Sequence, residues 1–162
     1  MRGKYNQFFS IMITDNLQAK GYVLPDLPES KTLFSPVVVA GSMIYVSGQI
    51  PAGFGDLQQY CGAVGRDFTT EQAKKIAAIC ALNTIAQVQR HLGSLANIKR
   101  CIKLTVFVNA TPSFAEAHIV ANGASEVMLA AFGESSKHAR SAIGVAQLPF
   151  GVAVEVEAIF EG

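Results

Sequence analysis

His138-Ala139-Arg140-Ser141-Ala142-Ile143-Gly144-Val145 carries one guanidinium in an otherwise apolar run, and no charge follows Arg140 until Glu155 and then Glu157. The stretch reads as two buried strands, residues 139–146 and 152–160, joined as a β-hairpin through Gln147-Leu148-Pro149-Phe150-Gly151. With a four-residue turn at 148–151, Gly144 faces Glu155 and Ala142 faces Glu157. Arg140, Glu155 and Glu157 then share one side, while Val152, Val154, Val156, Ala158 and Phe160 form the apolar side. A bulge or a three-residue loop would reverse this relation. A guanidinium in such surroundings needs an anion: its own glutamates, a neighbouring chain or a bound carboxylate. Ala142 and Gly144 leave space beside it. Guanidinium, carboxylate and space are what a small carboxylate-bearing ligand requires. The structural alternative is that Arg140 pairs with Glu155 or Glu157 and holds subunits together.

Working outward, residues 33–40 and 43–47 read as strands around a Gly41-Ser42 turn. Residues 51–66 are a glycine-rich loop with a short strand near Ala63-Val64. Thr69 or Thr70 opens a helix whose apolar positions Ala73, Ile76, Ala77, Cys80, Ala81, Ile85, Val88 and Leu92 keep helical spacing to Gly93. Residues 100–108 return to period two, with Ile102, Leu104, Val106 and Val108 on the apolar face and Cys101, Lys103, Thr105 and Phe107 on the other. Pro112-Ser113 introduces a second helix, strongest over 121–132 and stopped by Gly133. The order ββ-α-β-α-ββ predicts an α+β sandwich, with two helices on one face of a mixed sheet. The other face also needs cover, and sister chains are the simplest source. Residues 1–31, with the proline-punctuated Leu24-Pro25-Asp26-Leu27-Pro28-Glu29, read as an N-terminal arm ahead of a single domain at 32–162.

Half of the 162 residues are hydrophobic and 15% are charged, a balance that fits a large subunit interface. The net charge of +1, with scattered Lys and Arg, offers no basic stripe for nucleic acid. Cys61, Cys80 and Cys101 are odd in number and lack CxxC spacing, which argues against a disulfide scaffold or a zinc site. Buried reduced thiols and a cytoplasmic location are expected. The apolar patch at 8–13 is too short for a secretory signal. The uncharged stretch 32–55 is broken by Pro51 and by glycines at 41, 48, 53 and 55, so it is not a membrane span. Walker, Rossmann, HExxH and GxSxG patterns are all missing from the sequence. Of the histidines, His91 reads as a helix-end cation and His118 as a surface residue, while His138 fits a cleft mouth or a structural role.

Gly41-Ser42-Met43-Ile44-Tyr45-Val46-Ser47-Gly48-Gln49-Ile50-Pro51 resembles the early SGQ-x-P signature of the Rid/YjgF family, also known as the L-PSP endoribonuclease family. Lys103-Leu104-Thr105-Val106-Phe107-Val108 looks like its central strand, and Ala139-Arg140-Ser141-Ala142, Leu148-Pro149 and Val154-Glu155-Val156-Glu157-Ala158 resemble its closing signature. The resemblance spans about residues 33–160. It implies a chorismate-mutase-like fold, a homotrimer with clefts between subunits, and hydrolysis of small enamines or imines to 2-keto acids and ammonia without metal or organic cofactor. It also implies a helix over residues 13–20. Arg140 falls on the family's carboxylate-binding arginine, and Glu155 on the glutamate that assists water. Gly48 and the amide of Ala142 fall on pocket-lining positions, and Asn122 on a pocket asparagine. Two features depart from the deaminase pattern: Val37 follows Ser35-Pro36 where a tyrosine is usual, and Ala142 stands where a cysteine is common. The segment 114–122 is also longer than usual, which points to a divergent subgroup. A non-catalytic carboxylate-binding protein and an endoribonuclease are the competing readings.

Overall fold

A computed structural model describes residues 12–27 and 31–162. Pro28, Glu29 and the first part of the apolar patch at 8–13 lie outside the described residues. Strands β1 (Val37–Ala40) and β2 (Met43–Gln49) are followed by helix α2 (Thr70–Leu92), β3 (Arg100–Asn109), helix α3 (Ala117–Phe132), β4 (Ala139–Val145) and β5 (Val154–Glu161). A further helix, α1, occupies 12–19. Local chemistry fixes the helix ends. Thr69 and Gln72 form a reciprocal capping box at the start of α2, and Gly93 closes it in the left-handed conformation. The segment read as an arm supplies core: Ile13 and Leu17 of α1 are buried in the same cluster as the sheet and α2.

The five strands run in the order β1-β2-β5-β3-β4. Only β3 and β4 pair in parallel; the other neighbours are antiparallel. The expected C-terminal hairpin is therefore corrected, because β3 lies between β4 and β5 and pairs with both. Parallel strands need a crossover, and α3 supplies it between β3 and β4. The chain then passes beneath β3 to reach its far side, a span of roughly 10 Å between the outer strands.

The register settles which residues share a face. Leu104 of β3 opposes Arg140 of β4 on one side and Ala158 of β5 on the other. Leu104 and Ala158 are core residues under the helices, so Arg140 belongs to the helix-covered face. Glu155 opposes Phe107, and Glu157 opposes Thr105. They project from the opposite, open face, so the expectation that Arg140, Glu155 and Glu157 share a side is overturned. The assignment of Val152, Val154, Val156, Ala158 and Phe160 to the core holds, and all five are buried. A register shift between Cys101 and Lys103 turns Cys101, rather than Ile102, into the core. On the open face Val38, Tyr45 and Ile143 are each more than two-fifths exposed.

Helices α2 and α3 cross where Gly123 meets the backbone of Lys74; a Cβ at Gly123 would overlap the Lys74 carbonyl oxygen. Gly123→Ala is expected to lower the unfolding free energy by about 2 kcal/mol, overpacking outweighing the gain in helix propensity. Urea unfolding followed by circular dichroism measures the change.

Candidate functional site

The residues expected to form a site fall into two groups. The first lies at the β4 edge of the sheet, beneath α3. Arg140 Nη1 donates to Asn122 Oδ1 at 2.9 Å and to Ser125 Oγ at 3.1 Å, and Nη2 donates to the His118 carbonyl oxygen at 3.1 Å. His118, Asn122 and Ser125 stand at i, i+4 and i+7 on α3, which places them on one helix face. All three acceptors are neutral. Among the described residues no ion pair involves Arg140. These bonds leave the Nε–H and one Nη2–H, the edge of a guanidinium that matches a carboxylate bidentately. Ala142 lies two residues further along β4 and packs its methyl against the core.

The second group lies where β2 meets β5. The β2–β5 register shifts between Val46 and Gln49, and Gly48 sits in that irregularity. A Cβ at Gly48 would overlap Glu155 Oε1, so the carboxylate occupies the space that the glycine leaves. Burial and the neighbouring Glu157 push the Glu155 carboxyl above its ordinary value. Among the described residues no cation pairs with it. A half-buried carboxylate without a cation is a proton-transfer candidate. Glu157 lines a shallow cavity of about 290 Å³ on the open face with Tyr45, Ser47, Lys103 and Thr105.

The structure thus joins Arg140 to Asn122 and Glu155 to Gly48, and sets the two pairs on opposite faces. Cavities of about 500 and 800 Å³ elsewhere contain none of Arg140, Asn122, Ala142, Gly48 and Glu155. Ser125 belongs to the arginine group although it was not expected there, and His138, for which a cleft mouth or a structural role was open, joins the group through Ser125. The polar i, i+4, i+7 stripe on α3 is the sequence signal that marks Ser125. Among the described residues the cysteines make no hydrogen bond to the side chains of either group, although the charge of Glu155 reaches the Cys80 thiol. Cys80 and Cys101 are buried, and burial drives the Cys80 thiol well up and the Cys101 thiol to about 12. Among the described residues no cluster of His, Cys, Asp and Glu could hold a metal, and no helix is long and apolar enough to cross a membrane.

Similarity to known proteins covers most of the chain. The family described as "YjgF/chorismate_mutase-like, putative endoribonuclease" matches residues 14–158. Protein TCP17 of Trypanosoma cruzi is 44% identical over 151 residues, covering 92% of this chain and 93% of that protein. The crystal structure of Atu1372 from Agrobacterium tumefaciens, a protein of unknown function, superposes with a TM-score of 0.90 at 40% identity over 99% of both chains. RidA from the Antarctic bacterium Psychrobacter sp. PAMC 21119 gives a TM-score of 0.52 at 25% identity, covering 86% of this chain and 99% of that one. The β-β-α-β-α-β-β order, the helix-covered mixed sheet and these matches have one explanation: the chain belongs to the Rid/YjgF family, with its chorismate-mutase-like α+β fold.

Proposed function

We propose that the protein is an enamine/imine deaminase acting on small carboxylate-bearing substrates in clefts between the subunits of a homotrimer. The observation that supports this most is the Arg140 guanidinium, held in place by neutral acceptors with its Nε edge left for an anion. Arg140 at one sheet edge and Glu155 beyond the opposite side of β3 do not converge within one chain. A second copy that brings its β2–β5 region to the β4 edge of the first would join them, and would cover the exposed Val38, Tyr45 and Ile143 as well.

In such a cleft Arg140, oriented by Asn122, binds the substrate carboxylate. The Ala142 backbone and the space at Gly48 frame the remainder. An enamine first tautomerises to its imine. Glu155 takes a proton from water as the oxygen attacks the imine carbon and passes it to the imine nitrogen, giving a carbinolamine. The carbinolamine hydroxyl then gives up its proton through Glu155 to the amine as the C–N bond breaks, releasing ammonia and leaving the 2-keto acid. Imine, water, keto acid and ammonia balance without a redox step. The barrier is modest, so positioning and charge neutralisation suffice.

Arg140→Ala is expected to lower kcat/KM for an imine generated in situ by about 100-fold, with Arg140→Lys recovering part of the loss, because the bidentate charged contact is missing. Keto acid and ammonia release measures it, and an undiminished rate in Arg140→Ala would overturn the reading. Glu155 works as its carboxylate, and its proton is held more tightly than usual. The rate should therefore rise as pH increases through that raised value, and Glu155→Gln should be slow and lose that limb of the profile. Light scattering should return three copies of the 17.2 kDa chain. Co-refolding Arg140→Ala with Glu155→Gln should restore roughly a quarter of the wild-type rate, since mixed clefts reunite one intact half from each chain. A dead mixture would place both residues in the same protomer's half of the cleft.

A further inference from the structure

Ser125 Oγ stands between two functional groups, 3.1 Å from Arg140 Nη1 and 3.0 Å from His138 Nε2. His138 Nδ1 lies 2.7 Å from the Ser136 carbonyl oxygen. A carbonyl only accepts, so Nδ1 carries the proton, and Nε2 of the neutral ring accepts from the Ser125 hydroxyl. That leaves a Ser125 lone pair for Arg140. The donor chain runs from Arg140 through Ser125 and His138 to the Ser136 backbone, and each bond fixes the direction of the next.

We propose that His138, acting through Ser125, is a positioning residue for Arg140, and that carboxylate binding at Arg140 is coupled to proton uptake by His138. This rests on the carboxylate reading of Arg140 given above. Protonation reverses the middle bond: Nε2–H then donates to Ser125 Oγ, and an imidazolium comes to share that hydroxyl with a guanidinium. Like-charge repulsion opposes this state in the empty site, and a carboxylate on the free Arg140 edge relieves it. Burial holds the His138 proton off below its ordinary value; the Ser136 carbonyl offsets part of this, and the charge of Arg140 adds a smaller push in the same direction as burial. The other ionisable groups on the surrounding elements are engaged or turned away. At the start of α3, Glu116 accepts from the Thr70 hydroxyl; further along, Glu126 pairs with Lys74 at 2.7 Å, and His118 meets Arg140 through its backbone. In the turn before β4, Glu134 pairs with Lys137 at 2.8 Å. On β3, Lys103 lines the open-face cavity, and Arg100 pairs with Glu161 at 2.9 Å. A bound anion must therefore raise the His138 midpoint, and by reciprocity its affinity rises as pH falls through that midpoint.

The test follows the His138 ring nitrogens by NMR in the full chain from about pH 5 to about pH 8, with and without pyruvate, and measures pyruvate affinity by calorimetry at both ends. In the wild type, saturating pyruvate should raise the His138 midpoint by about half a unit to one unit, with a roughly 3- to 10-fold gain in affinity on acidification. Ser125→Ala should weaken pyruvate several-fold at the alkaline end and remove most of the midpoint shift, whereas Ser125→Thr, which keeps the hydroxyl, should retain both. Arg140-dependent pyruvate binding with an unmoved His138 midpoint overturns the coupling and leaves the carboxylate reading standing. Full coupling in Ser125→Ala overturns the relay through Ser125. Failure of the wild type to bind pyruvate at either end overturns the carboxylate reading and the coupling together.

Discussion

The parallel pairing of β4 with β3 is the interaction on which the site depends. Once α3 has carried the chain back over the sheet, β4 can dock only beside β3 and in its direction, with Leu104 opposite Arg140. That register turns the guanidinium under α3 and delivers it to the polar stripe of His118, Asn122 and Ser125. It also forces β5 to the far side of β3, where it bridges β2 and β3 and completes the core through Val154, Val156, Ala158 and Phe160. A shift of one residue in β4 would turn Arg140 toward the open face and expose Ser141 to α3 instead. The core and the position of the Arg140 guanidinium are therefore set by one strand placement.

The same placement leaves two charges of opposite sign without mutual compensation. Arg140 is stabilised by dipoles alone, and Glu155 has the like charge of Glu157 as its electrostatic neighbour. Each half-buried charge is costly in a lone chain. In the assembly proposed above, a second copy would offset that cost by setting the carboxylate-bearing face against the guanidinium-bearing edge. The low share of charged residues and the exposed apolar side chains of the open sheet face point the same way. In that proposed cleft, a ligand carboxylate and Glu155 would face one arginine without merging into an ion pair that closes the site.

What was legible in the sequence was local. The threonine that opens α2, the stop at Gly93, the period-two run of β5 and the two-residue turn between β1 and β2 all depend on residues close in the chain, and the structure contains each. Strand partners depend on elements far apart. The run from β4 to β5 has the alternation and turn residues of a hairpin, and nothing local records that β3 inserts between them. The resemblance assigned Arg140 and Asn122 each to a pocket; their hydrogen bond and the face of the sheet that carries it follow from register and were not legible. Cys101 and Ile102 exchanged roles for a similar reason: a bulge interrupts the alternation that the sequence displays. Ile13 and Leu17 carry too short a pattern to announce a core helix, and tertiary contact with the sheet and α2 is what buries them.

The departures from the deaminase pattern take on a physical meaning in this setting. Ala142 shares the helix-covered face with Arg140, and its side chain packs inward, so a larger thiol there would compete with the core for space. A ligand at the β4 edge meets the backbone at that position, which the change to alanine preserves. Val37, where a tyrosine is usual, is buried against the core and offers no hydroxyl to a ligand. Both changes remove polar side-chain groups from these positions and leave the contacts of Arg140 untouched. On the proposed reading of this site, discrimination would therefore rest on the groups that orient the arginine: Asn122, Ser125 and, behind them, His138. Such a site would hold a carboxylate firmly and be permissive toward the rest of the molecule.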